Sequence, residues 1–214
     1  MGSLANRLHL AAAAAVLVAL SAVSGSLAAE TVLVPFGSTG VRYATFEAEG
    51  SDVVAAHPEI LTRSFDDSSW AEGTAPFGSS GDFWDHHGGY CSPDVATPWA
   101  DPDLTIVARV WFDLPAGFSD VVVSRRHCSS TGLFVNGQGW GSCQGCFDCP
   151  WCSCTQSPYD SWFVEGANLI VLTYGAKFAN WYHYMDFQVT ADIPVSPVVE
   201  KTWGTIKSMY PPGH

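Results

Sequence analysis

Residues 104–114 read Leu-Thr-Ile-Val-Ala-Arg-Val-Trp-Phe-Asp-Leu, and this stretch decides the fold. Ile106, Ala108, Val110 and Phe112 fall on one face and Val107, Arg109 and Trp111 on the other, the period of two that a strand requires. β-Branched and aromatic side chains favour the same pleated backbone. Outward from this strand, the sequence predicts further short ones bounded by Gly, Pro, Asp or Ser: Thr31–Pro35, Val41–Phe46, Val121–Ser124, Leu133–Val135, Asn168–Tyr174 and Trp181–Thr190. In the last, Tyr182, Tyr184, Asp186 and Gln188 alternate with Trp181, His183, Met185, Phe187 and Val189. Helical periodicity is scarce after residue 30. Many short strands with loop-sized gaps predict an all-β, antiparallel sandwich in which each sheet packs one face inward.

The whole chain has 214 residues, room for one ordinary domain. Nine Lys and Arg against 21 Asp and Glu leave a formal charge of −12. That balance excludes a polyanion partner, because nucleic-acid binding needs a basic stripe to displace counterions. Nine Trp, 12 Phe and seven Tyr also exclude a disordered acidic tail, which is poor in rings.

Residues 1–29 read as a secretory signal peptide: Arg7 supplies the positive charge, Leu10–Ala22 the apolar run, and Ser26-Leu27-Ala28-Ala29 the small residues for cleavage. The apolar run falls short of the ~20 residues that span a bilayer. The expected product is secreted, extracellular or at the cell surface, with no membrane span after signal removal. Residues 30–193 form the expected sandwich domain. Residues 194–214 are a Pro-rich linker and short C-terminal tail, in which Trp203, Ile206 and Tyr210 are spaced as on a short helix.

Export directs the reading of the cysteines. Cys91 and Cys128 stand apart, while Cys143, Cys146, Cys149, Cys152 and Cys154 crowd together in a loop region. The gaps fit neither a ferredoxin run nor two zinc-binding pairs separated by a long loop. In an oxidising compartment these seven are disulfide candidates stapling a loop with little core of its own, and the odd count leaves one free or bridged to another chain. Connectivity stays open. Cys152 with Cys154 is disfavoured, because a single intervening residue strains the bond.

Ser64-Phe65-Asp66-Asp67-Ser68-Ser69-Trp70-Ala71-Glu72-Gly73-Thr74-Ala75-Pro76-Phe77-Gly78 resembles the Asp-Asp-Ser-x-Trp and Gly-x-Ala-Pro-x-Gly segments of galactose-binding-like, carbohydrate-binding-module-like jelly-roll domains of the secreted bacterial type. Three further elements follow in the family's order. They are Arg109–Gly117 with its Phe-Asp-Leu-Pro, Leu133-Phe134-Val135-Asn136-Gly137, and Gly166-Ala167-Asn168 leading into an aliphatic strand. The resemblance covers roughly residues 31–193 and implies a jelly-roll β-sandwich that recognises carbohydrate or cell-envelope glycan. The sequence departs from the family by inserting the cysteine cluster with Trp140 and Trp151 after the hairpin. Read from the residues themselves, Asp66-Asp67-Ser68 makes a tight turn and Asn136-Gly137 a type I′ hairpin turn, so Asp66, Asp67, Asn136 and Gly137 are architectural.

No catalytic signature is present: no His-Glu-x-x-His, no Gly-x-Ser-x-Gly, no phosphate-cradling loop with Lys. Residues 81–91 instead mix rings with polar groups, the composition of a polar-ligand pocket. The expectation is a non-catalytic binding module whose ligand rim, at one end of the sandwich, comprises Trp84, Asp85, His86, His87, Trp140 and Trp151. Asn180–Tyr184 is a lesser candidate. No cofactor is expected beyond a structural calcium held by carboxylates and backbone carbonyls, with no ligands named. The alternative is a structural or adhesive subunit of an extracellular assembly, self-associating through the tail or the odd Cys, and a hydrolase comes third. Reducing against non-reducing electrophoresis separates the first two readings, since covalent multimers would favour assembly.

Overall fold

The computed structural model describes residues 28–195 apart from position 49 and segments 79–82, 85–89, 92–93, 100–103, 128–130, 144–151 and 176–183. For 83–84, 90–91, 140 and 152 it describes the backbone alone. Residues 1–27 of the expected signal peptide (1–29) and the tail from residue 196 onward lie outside the described residues, while Ala28 and Ala29 are described as strand.

The strands in chain order are β1 (Ala28–Val34), β2 (Val41–Phe46), β3 (Ala71–Gly73), β4 (Phe77–Gly78), β5 (Phe83–Trp84), β6 (Tyr90–Cys91) and β7 (Thr97–Pro98). Then come β8 (Thr105–Leu114), β9 (Ser119–His127), β10 (Thr131–Val135), β11 (Gln138–Cys143), β12 (Cys152–Gln156), β13 (Gly166–Tyr174) and β14 (Tyr184–Pro194). Between β2 and β3 lie a short helix, α1 (Gly50–Ala56), and a 3-10 turn, η1 (Pro58–Leu61); a second 3-10 turn, η2 (Asp160–Trp162), precedes β13.

Two six-stranded sheets make the sandwich. The first runs β12-β9-β14-β4-β7 with β1 also on β14, and the second β11-β10-β13-β8-β2-β3; β5 and β6 pair separately. Pairing is antiparallel along β12-β9-β14-β4 and throughout the second sheet, and β4 and β7 run parallel. The predicted strand 104–114 lies in the middle of the second sheet, antiparallel to β13 over nine positions from Leu114↔Gly166 to Ile106↔Tyr174. Its Ile106, Ala108, Val110 and Phe112 face the other sheet, where Val123, Met185, Phe187 and Val189 close the core. Each such side chain, taken fully out of water, contributes roughly 1.5–3 kcal/mol.

One expectation needs correction. The second sheet does not pack a single face inward, because α1 and η1 cover its outer face with a second apolar layer of Val53, Ile60 and Leu61 on Val107, Leu169 and Val171. Residues Thr105–Val110 of β8 are therefore buried on both sides, and the outward face opens only at Trp111 and Asp113.

The hairpin between β10 and β11 matches its sequence signal. Val135 pairs with Gln138, and the intervening Asn136 and Gly137 take φ of +47° and +85°. Gly137→Ala, forced into this conformation, should cost about 1 kcal/mol in chemical unfolding. An unchanged midpoint would refute the assignment.

The turn joining β1 to β2 folds over the outer face of the first sheet. The Gly37 and Phe187 N–H groups donate to Asp186 Oδ1 at 3.1 and 2.9 Å, and the Arg126 guanidinium lies 3.8 Å from the Phe36 ring centroid. Burial pushes the Asp186 carboxyl up, against the opposing pull of the two N–H groups and Arg126. A carboxyl raised in the folded state favours folding when protonated, and that stabilisation is lost as pH rises through the folded value. Asp186→Asn should thus resemble wild type in acid and become the more stable protein as pH approaches neutral. Urea unfolding from about pH 3 to about pH 7 measures this difference; one that shrinks with rising pH would contradict it.

Candidate functional site

Strand ends converge at one end of the sandwich. Register pairs Phe46 with Thr105, Ile106 with Tyr174, and Tyr174 with Thr131, which itself opposes Cys143. In the other sheet, Gly78 pairs with Tyr184, Met185 with His127, and His127 with Cys152. The Arg125 guanidinium of β9 donates to Thr131 of β10, so both sets of strand ends belong to the same end.

Two of the sequence-predicted rim residues, Trp84 and Trp140, lie on strands among the described residues. Trp84 lies on β5, opposite Tyr90 of β6, shortly after β4 ends. Trp140 lies on β11, opposite neither Leu133 nor Phe134, where the register shifts. Asp85, His86, His87 and Trp151 lie outside the described residues, as do Cys128, Cys146 and Cys149 and residues 180–183. Cys91 and Cys152 are described in backbone only, on β6 and β12.

Cys143 and Cys154 form a disulfide, with Cα atoms 6.4 Å apart and a sequence separation of 11. The reason lies in the topology. β11 is the edge of one sheet and β12 the edge of the other, so the bridge ties the two layers together and closes the segment holding Cys146, Cys149, Cys152 and Trp151. A loop of that size contributes roughly 3 kcal/mol. A His127 ring nitrogen and the two sulfurs lie within 4.8 Å of one another. They do not read as a metal centre, because the Arg125 guanidinium already presents positive charge 2.8 Å from Cys143 Sγ. Among the described residues no group of three or more carboxylates comes together, so the calcium expectation gains no ligands there.

A concavity lined by described residues lies elsewhere, where β2 leaves β8. The last β2–β8 pair is Arg42 with Arg109, and at Gly40, with φ +72°, the chain turns away toward β1. Beyond that point β8 continues past β2, and a pocket of about 240 Å³ opens between it and the β1–β2 turn. Val34 and Val110 supply apolar wall, and Ser38, Thr39 and Arg42 supply polar groups. Trp111 stands at the lip, 42% exposed. Arg42 is braced by the Trp70 carbonyl at 3.3 Å and Glu72 at 3.5 Å, which fixes its guanidinium and offsets its charge. By alternation Trp111 shares a face with Val107 and Arg109, which does not mark it as a site residue in the sequence. The available signal was Asp113, two positions on, a charged residue on the same face.

The turn residues behave as architecture. Asp66 Oδ1 accepts the Ser68 N–H at 2.9 Å, and hydrogen bonding from the Ser68 side chain, with this N–H second, holds the Asp66 carboxyl below its ordinary value. Asp67 Oδ2 lies 2.7 Å from Arg109 Nε.

No family model and no curated protein matches this sequence. Among solved structures, the chain is similar to a beta-glucuronidase of Bacteroides uniformis (14% identity, TM-score 0.49, covering 77% of this chain and 18% of that one). It is also similar to a beta-glycosidase of Bacteroides vulgatus (17% identity, TM-score 0.44, 74% and 20%) and a beta-glucuronidase of Ruminococcus gnavus (11% identity, TM-score 0.46, 79% and 30%). The chain thus spans between about a fifth and a third of the length of the solved structures it matches.

Proposed function

We propose that this chain is an exported, non-catalytic β-sandwich that binds carbohydrate. The observation that carries the reading is Trp111: a half-exposed indole held by a rigid central strand, at the lip of a pocket with hydroxyl and guanidinium groups. An indole offers a broad apolar face with a polar N–H at its edge, matching the mixed apolar and hydroxylated faces of a sugar ring. Sites for small polar ligands have this composition, apolar walls with a few oriented polar groups. At about 240 Å³ the pocket sits at or below the ~300 Å³ lower bound of drug-sized sites, which suits one sugar ring rather than a chain. Trp84, on β5 shortly after β4 ends, marks a second surface for the same ligand class.

Export is supported by the leader-like residues 1–29 and by the bridged cysteines, which belong in an oxidising compartment. No helix among the described residues is long and apolar enough to cross a membrane.

A glycan array with and without calcium tests the reading, followed by titration of the best hit against Trp111→Ala and a Trp84→Ala/Trp151→Ala variant. The expected result is a Kd at least about tenfold weaker for Trp111→Ala, the loss of one desolvated aromatic contact. A blank array under both conditions would overturn the reading.

A further inference from the structure

Arg125 is fully buried, and among the described residues no carboxylate reaches it. Its guanidinium donates to Thr131 Oγ1 at 2.9 Å and the Thr131 carbonyl at 3.3 Å, and to Gln156 Oε1. Its remaining partners are sulfur: Cys143 Sγ at 2.8 Å and Cys154 Sγ at 3.5 Å. The electrostatics of this arrangement are unequal in the two redox states. With the disulfide formed, every partner is neutral, and a buried cation with neutral partners is costly. Burial alone pulls Arg125 down to about 10. With the bridge reduced, a thiolate can stand beside the guanidinium, the setting that lowers a thiol's pKa below the ordinary 8.5. Anything that stabilises the reduced form more than the oxidised form makes the bond easier to reduce.

We infer that Cys143–Cys154 is a redox-responsive site, reducible by a small dithiol, in which Arg125 is the positioning residue that stabilises the leaving thiolate. The step balances. A thiolate of the dithiol attacks Cys154 Sγ, whose residue is less buried than Cys143. The S–S bond breaks, and Cys143 Sγ departs with the electron pair as a thiolate against Arg125. The second thiol of the reductant, as its thiolate, then attacks the reductant's own sulfur in the mixed disulfide and releases Cys154, which takes one proton. The dithiol leaves as a disulfide, two electrons have entered the protein, and the second proton goes to solvent. A low-pKa leaving thiol departs faster, so the guanidinium promotes the rate as well as the equilibrium. His127 is the other titratable group whose atoms approach the two sulfurs among the described residues. Opening the bond frees the edge of one sheet from the edge of the other and untethers the segment that carries Trp151.

The test uses the full exported chain in dithiothreitol and glutathione redox buffers. Differential alkylation read by mass spectrometry gives the oxidised fraction at Cys143 and Cys154 separately from the other cysteines. Arg125→Met should make the bond at least about tenfold harder to reduce, about 30 mV for a two-electron couple. Should that variant not fold, the pH dependence of alkylation in reduced wild type decides by itself, with Cys143 titrating below 8.5 and Arg125→Lys retaining part of the shift. The same reduction equilibrium in Arg125→Met, or a Cys143 thiol titrating at or above 8.5, would overturn the inference. The sugar-binding reading stands or falls separately, since neither measurement involves a glycan.

Discussion

Arg109→Ala is expected to cost about 3–5 kcal/mol and to strip the outer layer from the second sheet. The side chain is fully buried, yet it sits on the outward face of β8, beneath the irregular chain that links α1 to β3. Nε pairs with Asp67 at 2.7 Å, Nη1 donates to the Ile60 carbonyl, and both terminal nitrogens reach the Thr62 carbonyl at 3.2–3.3 Å. The Phe65 ring lies 5.1 Å from the guanidinium carbon. The segment bonds some of its own carbonyls, those of His57, Glu59 and Asp67 among them, and one planar fork supplies donors to those of Ile60 and Thr62. Truncation leaves the Ile60 carbonyl and a largely buried carboxylate without this donor, and the Thr62 carbonyl with the Phe65 N–H at 3.4 Å. Asp67→Ala should cost less, because the carbonyls still hold the guanidinium, and the double variant should cost less than the sum of the two. Chemical unfolding of the three variants checks this; an Arg109→Ala loss under about 1 kcal/mol would place Arg109 on the surface.

Asn168→Ala is the second large effect, at about 3 kcal/mol. Asn168 lies fully buried at the start of β13, and its amide makes four hydrogen bonds of 2.8–2.9 Å. Oδ1 accepts from the Val164 N–H and Asn136 Nδ2, while Nδ2 donates to the carbonyls of Val164 and Gly166. Asn136 continues the chain of bonds, accepting the Leu169 N–H and donating to the Trp162 carbonyl. The loop after η2 and the β10–β11 hairpin are thereby locked to one strand. Loss of the amide leaves several groups unsatisfied at roughly 1–3 kcal/mol each, part of it recovered by water. Asn168→Asp should also destabilise, because it replaces the donor by an acceptor facing two carbonyls. A midpoint for either variant close to wild type would contradict the network.

These two side chains show which parts of the fold are legible in the sequence. Alternation in Ile106–Phe112 and in Met185–Val189 predicts both the strands and the faces that meet, because burial in a sandwich imposes a period of two. Asn136-Gly137 announces its turn through backbone chemistry that few other pairs supply. Arg109 is hidden from such reasoning. Its charge suggests solvent, and only the tertiary placement of residues 60–67 makes it the centre of a buried layer. For the same reason β9 runs three residues past Ser124: Arg125 and His127 point inward to partners on other strands, which local hydrophobicity cannot reveal. α1 is too short, at seven residues, to show a helical period. Of the candidate site, the sequence displays the ring-rich segments and the cysteine cluster. It does not display Trp111, whose exposure depends on where β2 ends, nor the partner of Cys143, which depends on two sheet edges lying side by side.

The proposed sugar contact is the sheet-mounted indole beside the β2–β8 gap. It is tested most directly by following the indole N–H signals of the nine tryptophans by nuclear magnetic resonance while the best array glycan is added. The Trp111 signal should shift progressively and saturate, and Arg42→Ala should weaken this response. A saturating response confined to other tryptophans, with Trp111 unmoved, would contradict it.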